Sequence, residues 1–151
     1  MTRMLCLDPG GTTGVAWFNM NADAPIELLE VDQVKGGSDG AIRYLLAHAA
    51  SVDILVSESF VLDGRTPKPD VTPLRIEGAM EALHLSGLLP KPVMQRNNMK
   101  VHANDVLLKR AGLWKPGQQH ARDAIRHGIA YAKSRGHRPT IEWLWPAPAG
   151  F

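Results

Sequence analysis

Apolar positions fall into short dense blocks in the first third of this chain and into stripes of helical period further on. Met4 to Leu7 is a compact apolar block, the pattern of a strand buried on both faces. Asp8-Pro-Gly-Gly closes it as a turn. A second block, Gly14 to Asn19, carries Val15, Trp17 and Phe18, and a third spans Ile26 to Val34. The links are turn-like, which predicts an antiparallel meander ended by Lys35-Gly-Gly. The period then changes to 3.6. Ser38 is the expected N-cap of a helix from Asp39 to about Ala50, with Ile42, Leu45, Leu46 and Ala49 on its apolar face. "VDILVSESF", Val52 to Phe60, reads as a fourth strand interrupted by Glu58.

Residues 61–73 hold three prolines and a glycine among polar residues. A loop of about 12 residues is long for a compact domain and marks a functional or mobile segment. A helix is expected from about Pro73 to Ser86, with Leu74, Ala79, Met80 and Leu83 inward and Gly87 at its end. Pro92-Val-Met is a short fifth strand. Asn97 or Asn98 can cap a helix from about Met99 to Arg110, ended by Gly112, and a last helix runs from Gln118 to about Ser134. The end, "RPTIEWLWPAPAGF", has two Trp and three Pro and does not read as a helix. The expected organisation is one α/β domain over residues 1–138 and a tail over 139–151. A meander followed by alternating strands and helices predicts a mixed sheet flanked by helices.

Composition changes this picture in two places. The 151 residues carry a net charge of only +2, but the charge is unevenly spread. Residues 1–90 hold 6 Lys/Arg and 12 Asp/Glu, whereas residues 91–138 hold 11 Lys/Arg and 2 acids, Asp105 and Asp123. A basic second half suits a polyanion, nucleic acid first among them, although solvated helix faces have the same composition. The single cysteine, Cys6, excludes an internal disulfide and suits a reducing cytoplasm. No apolar run is long enough to span a membrane, so no membrane partner is expected.

Against this background a few acids stand out. Asp8 ends the first strand and Glu58 the fourth. Carboxylates brought together at neighbouring strand ends repel and are costly to desolvate, and a divalent metal relieves both problems. Asp8 alone also fits a turn-starting Asp before Pro-Gly, and Glu58 an exposed strand end. In "HARDAIRHGIAYA", His120 and Asp123 are three apart and share a helix face near its start. His127, four after Asp123, can share that face, but reads as a histidine on a basic surface. Asp8, Glu58, His120 and Asp123 are the candidate metal ligands. Their oxygen-rich chemistry suits two magnesium or manganese ions of a phosphodiester-cleaving site.

Three segments, "LCLDPGGTTGVAW", "DILVSESF" and "HARDAIRHGIAYA", resemble the RuvC family of Holliday junction resolvases, within the RNase H-like nuclease superfamily. The resemblance covers roughly residues 3–134. It implies an RNase H-like five-stranded mixed sheet with its first three strands antiparallel. It further implies a homodimer and paired nicks across a four-way DNA junction, with two Mg2+ or Mn2+ ions held by Asp8, Glu58, His120 and Asp123. His120 stands where the family motif usually has an acid. The family places an aromatic wedge just after the second acid, and Phe60 is the nearest match, although a core role fits it equally. A basic residue near the start of the helix after the fifth strand is matched by Lys100, with Arg96 close by. Arg65 and Lys68, in the proline-containing loop, are placed to touch DNA. The Gly-Gly-Thr-Thr turn after Asp8 lets the backbone bend sharply and keeps bulky side chains from the metals.

Three rivals share parts of the pattern. Sugar kinases and actin-like ATPases begin with a similar Asp-x-Gly-Thr-Thr turn, but they need a second large domain to close over a nucleotide, so no nucleotide cofactor is expected. The pre-ribosomal RNA nuclease branch of the same superfamily also has an early Asp-x-Gly and a late acid. A junction-binding module that has lost catalysis is the third, and competent residues at all four ligand positions speak against it.

Overall fold

The apolar blocks form strands and the longer stripes form helices in a computed structural model of the chain, which describes residues 1–150. In order these are β1 (Arg3–Asp8), β2 (Thr12–Asn19), β3 (Glu27–Lys35), α1 (Gly37–His48), β4 (Ile54–Glu58), α2 (Thr72–Leu85) and β5 (Val93–Gln95). Then come α3 (Asp105–Arg110), α4 (Gln119–Ser134) and α5 (Arg138–Leu144), with short 3-10 segments at Ala49–Ser51 and Asn97–His102. The strands form one sheet in the order β3-β2-β1-β4-β5. β1 to β3 are antiparallel, as the meander predicts, and β4 and β5 run parallel to β1.

The side-chain period of two divides the core into two layers. Met4 and Cys6 of β1, with Ala16 and Phe18 of β2 and Val56 of β4, pack under α4 against Ile125, Ile129 and Leu108. Leu5 and Leu7, with Val15, Trp17 and Leu55, pack on the other side under α1 and α2 against Leu45, Ile76 and Met80. Burial also pushes the Cys6 thiol far above its ordinary pKa, which leaves it inert. The consequence for function lies one step further along the strands. Asp8 follows Met4 and Cys6 on the α4 side, Glu58 follows Ile54 and Val56, and Gln95 follows Val93. Three polar side chains thus emerge from three adjacent strand ends toward one helix.

Several local expectations are corrected. Ser38 lies inside α1, whose N-cap is Gly36 in the left-handed region, and the buried residues of that helix are Ala41 and Leu45, with Leu46 exposed. Ile76 takes the inward place expected of Leu74 on α2. The helix expected from Met99 to Arg110 is split: a 3-10 segment precedes Ala103, and Asn104 caps α3 by accepting the Leu107 N–H at 2.9 Å. The segment after Gly136 is a helix, α5, not an irregular tail. Pro139 sits in its first turn, where the missing N–H costs nothing. Thr140 and Leu144 are buried, and Thr140 Oγ1 accepts the Ile26 N–H at 2.9 Å, tying α5 to the sheet. The predicted tail reaches Phe151, which lies outside the described residues.

Candidate metal centre and nuclease site

Parallel pairing of β1 with β4 puts Leu7 opposite Ser57, so the next residue of each strand, Asp8 and Glu58, meet at the carboxyl ends of the two central strands. α4 completes the group. Its N-terminus lies directly on β2, because Gly14 has no side chain: a Cβ there would fall 1.9 Å from the His120 carbonyl oxygen. The Gln33 side chain of β3 accepts the His120 N–H at 3.1 Å, fixing the first turn from the other side. His120 Nδ1 then lies 3.4 Å from Asp8 Oδ2, with the His120 side chain 48% exposed. Asp123 follows one turn later on the same face.

Lys100, from the 3-10 segment, reaches into this acidic group. Its Nζ is 3.2 Å from Glu58 Oε2 and 3.4 Å from Asp123 Oδ2. Arg126 holds the other oxygen of Asp123, with Nη1 at 2.8 Å from Oδ1, and is itself anchored by the Ala103 carbonyl at 2.9 Å and by Asp105. The structure therefore gathers Asp8, Glu58, His120, Asp123 and Lys100. Of the other expected contacts with nucleic acid, Arg96 and Phe60 line a cleft beside Glu58, with Phe60 half-buried and Arg96 exposed. Arg65 and Lys68 are exposed in the irregular segment between β4 and α2.

His127 corrects the sequence reading. It is fully buried, not on a basic surface, and its Nε2 lies 3.2 Å from Glu58 Oε2. Its place seven after His120 and four after Asp123 puts all three on one helix face, the signal that a reader of the sequence could use. Nothing local in the sequence points to Gln95, whose partner His127 is 32 residues away, whereas Arg126 stands three after Asp123 and also reaches Ala103 and Asp105.

The charges here are unequal in a telling way. Burial, followed by a hydrogen bond and repulsion from Glu58, pushes the Asp8 carboxyl up to about 8. Burial also opposes ionisation of Glu58, but hydrogen bonds from His127 and Asp8 and the nearby Lys100 ammonium together pull it down to about 2. The pair therefore shares one proton at neutral pH. The folded chain holds the Asp8 proton more tightly than the unfolded chain, so this contribution to stability is full below pH 3.8 and is lost as pH rises through about 8.

The donor set fits divalent cations. Among the described residues no three acidic, histidine or cysteine side chains converge into a ready-made cage. Instead the Lys100 ammonium bridges Glu58 and Asp123 as a cation would, beside a carboxyl pair that cannot fully ionise alone. Oxygen ligands of this kind suit Mg2+ or Mn2+, and His120 favours Mn2+. A cation bound at Asp8 must displace its proton. Mn2+ affinity is accordingly expected to rise about tenfold per pH unit up to about pH 8 and then flatten. Titration calorimetry in two buffers of different ionisation enthalpy checks this, and a pH-independent affinity would remove Asp8 from the ligand set.

No protein-family model matches the sequence, and no curated protein sequence matches it. Solved structures do. The Thermus thermophilus RuvC structure superposes with a TM-score of 0.63 over 90% of this chain and 98% of that one, at 15% identity. The chain has the RuvC fold. RuvC from the same organism in complex with Holliday junction substrate gives a TM-score of 0.64 at 14% identity, covering 90% of this chain and 98% of that one. The Fowlpox virus resolvase with its substrate Holliday junction DNA gives 0.56 at 13% identity, covering 87% and 99%. The five-stranded mixed sheet with its first three strands antiparallel, expected from the resemblance, is the one observed, and it matches the RNase H-like fold of RuvC.

Proposed function

We propose that the chain is a metal-dependent, structure-selective endonuclease that nicks four-way DNA junctions and related branched DNA. The observation that carries this reading is the meeting of Asp8, Glu58 and Asp123, from three separate elements, at the carboxyl edge of a RuvC-type sheet. Two of the similar structures hold Holliday junction substrates. Asp8, Glu58, His120 and Asp123 would hold Mg2+ or Mn2+, two ions per site. Bound there, the ions would activate the attacking water and stabilise the leaving 3′ oxygen.

The chain's own residues supply the rest. Asp8 would hold a cation as the carboxylate, having lost the proton it keeps in the metal-free chain. Lys100, which holds Glu58 and Asp123 in the metal-free chain, would offset charge on the scissile phosphate or grip the backbone. Arg96, Arg65 and Lys68 grip the backbone, which fixes register without reading sequence. Phe60, half-buried beside the cleft, would stack against unpaired bases. A two-fold homodimer would present two such sites to the two strands of a symmetric junction. Among the described residues no helix is long and apolar enough to cross a membrane, and the unpaired, buried Cys6 suits a cytoplasmic protein.

The test is cleavage of a labelled four-way junction beside linear duplex, fork and structured RNA, with Mn2+, Mg2+ or chelator. Paired symmetric nicks in the junction, lost with chelator, are expected. Binding should fall by roughly 10³–10⁵ between about 50 and 200 mM salt if the basic half makes 6–10 phosphate contacts. Cutting of RNA alone would move the activity to structured RNA, and tight junction binding without cutting would leave a binding module.

A further inference from the structure

His127 is fully buried in the middle of α4, so both ring nitrogens need partners within the protein. Both partners lie at the strand ends that form the site. Nε2 is 3.2 Å from Glu58 Oε2, and Nδ1 is 2.8 Å from the side-chain amide of Gln95. Gln95 is only 6% exposed and sits opposite Glu58 in the β4–β5 register. One amide orientation satisfies all of its neighbours. In it the Gln95 NH2 donates to His127 Nδ1 and to the His127 carbonyl oxygen at 3.2 Å, while the amide oxygen accepts the Tyr131 N–H at 3.3 Å. Nδ1 is then an acceptor, the ring proton is on Nε2, and Nε2–H donates to Glu58. The α4 backbone fixes Gln95, Gln95 fixes the tautomer, and the tautomer fixes the carboxylate.

We propose that His127, held by Gln95, is a positioning residue for Glu58. It anchors Oε2 from the buried side, so the carboxylate can turn only about that anchor. Lys100 contacts the same oxygen, but from a side chain 23% exposed, on the side from which a cation arrives. A cation therefore competes with Lys100 and leaves the His127 hydrogen bond in place. The proposal rests on reading Glu58 as a metal ligand. A histidine that merely filled space would be replaceable by any side chain of similar volume; one that orients a ligand is replaceable only by a donor.

The experiment compares Mn2+ affinity, by titration calorimetry, in the full chain and in His127→Leu, His127→Gln and Gln95→Leu, with metal-free thermal unfolding as the control for folding. His127→Leu is expected to weaken Mn2+ binding roughly 10–100-fold, the usual effect of losing a partner of a ligating carboxylate. His127→Gln, whose amide can donate to Glu58, should recover to within about threefold of the parent. Gln95→Leu, which frees the ring to turn, should weaken binding in the same direction. Nitrogen-15 spectra of the His127 ring in the parent chain should show the Nε2–H tautomer. A cooperatively folded His127→Leu chain that binds Mn2+ as the parent does overturns the positioning role alone. A parent chain that binds no Mn2+ overturns the nuclease reading and this role with it. If His127→Leu fails to fold, Gln95→Leu and the ring spectrum decide: unchanged affinity, or an Nδ1–H ring, overturns the proposal.

Discussion

Asp8→Asn is expected to abolish junction cleavage while leaving junction binding intact. Asn keeps the shape of the side chain but cannot neutralise a cation, and Asp8 sits at the centre of the acidic group, between Glu58 and His120. A loss of about 10³-fold or more, roughly 4 kcal/mol of barrier, is the scale expected for removing a ligand of the reacting centre. Binding should survive because it depends on Lys and Arg side chains elsewhere. The same substitution should have the opposite effect on stability. Above about pH 8 the metal-free parent carries two adjacent carboxylates, and Asn removes one of the charges. Without metal, the variant should melt higher than the parent at about pH 9, and the difference should shrink as pH falls. Cleavage at the parent rate would remove Asp8 from the chemistry. A lower melting temperature at high pH would show that the two carboxyls do not oppose each other.

Gly14→Ala should damage the site without altering any polar side chain. The new Cβ would lie 1.9 Å from the His120 carbonyl oxygen, 2.1 Å from its carbon and 2.8 Å from the Ala121 nitrogen. All three are backbone atoms of α4, so no side chain can turn away. The helix start must move off β2, taking His120 from Asp8 and loosening the Gln33 cap. Overpacking of this kind costs about 1–3 kcal/mol, and each kcal/mol lowers the melting temperature by about 2–4 °C in a chain of this size. A misplacement of about 1 Å can cost about 10²-fold in rate, so cleavage should fall further than the modest destabilisation alone explains. Gly78→Ala, on α2 and outside the turn after Asp8, is the control, because a Cβ there meets nothing within 4 Å. Equal behaviour of the two variants in melting and in cleavage would mean that α4 does not depend on this close approach.

The parts of this molecule that were legible in the sequence are those governed by local period and turns. The three-strand meander, Glu58 at the end of a buried strand and Asp123 beside His120 on a helix all follow from spacing within a few residues. The parts that were not legible depend on partners far apart in the chain. His127 reads as a surface residue because its neighbours in sequence are Arg126 and Gly128, whereas its actual partners are Glu58 and Gln95, 69 and 32 residues away. Lys100 reads as a contact for phosphate, and only the folded chain shows that it spans Glu58 and Asp123. The last helix was hidden by composition. Three prolines and two tryptophans argue for irregular chain, but Pro139 is at a helix start and Pro146 and Pro148 come after its end.

The placement of Asp8, Glu58 and Gln95 by strand alternation also sets which kinds of mutation the site can absorb. Substitutions elsewhere on β1 and β4 leave the direction of these side chains alone. A one-residue insertion or deletion inside either strand turns its terminal acid to the opposite layer, under α1 and α2, away from His120, Asp123 and Lys100. The irregular segment between β4 and α2 carries no such constraint, because its length does not enter the register of any strand. Length change should therefore accumulate in that segment, beside Arg65 and Lys68, so that the surface proposed to meet the substrate can be lengthened or reshaped while the acids stay in step.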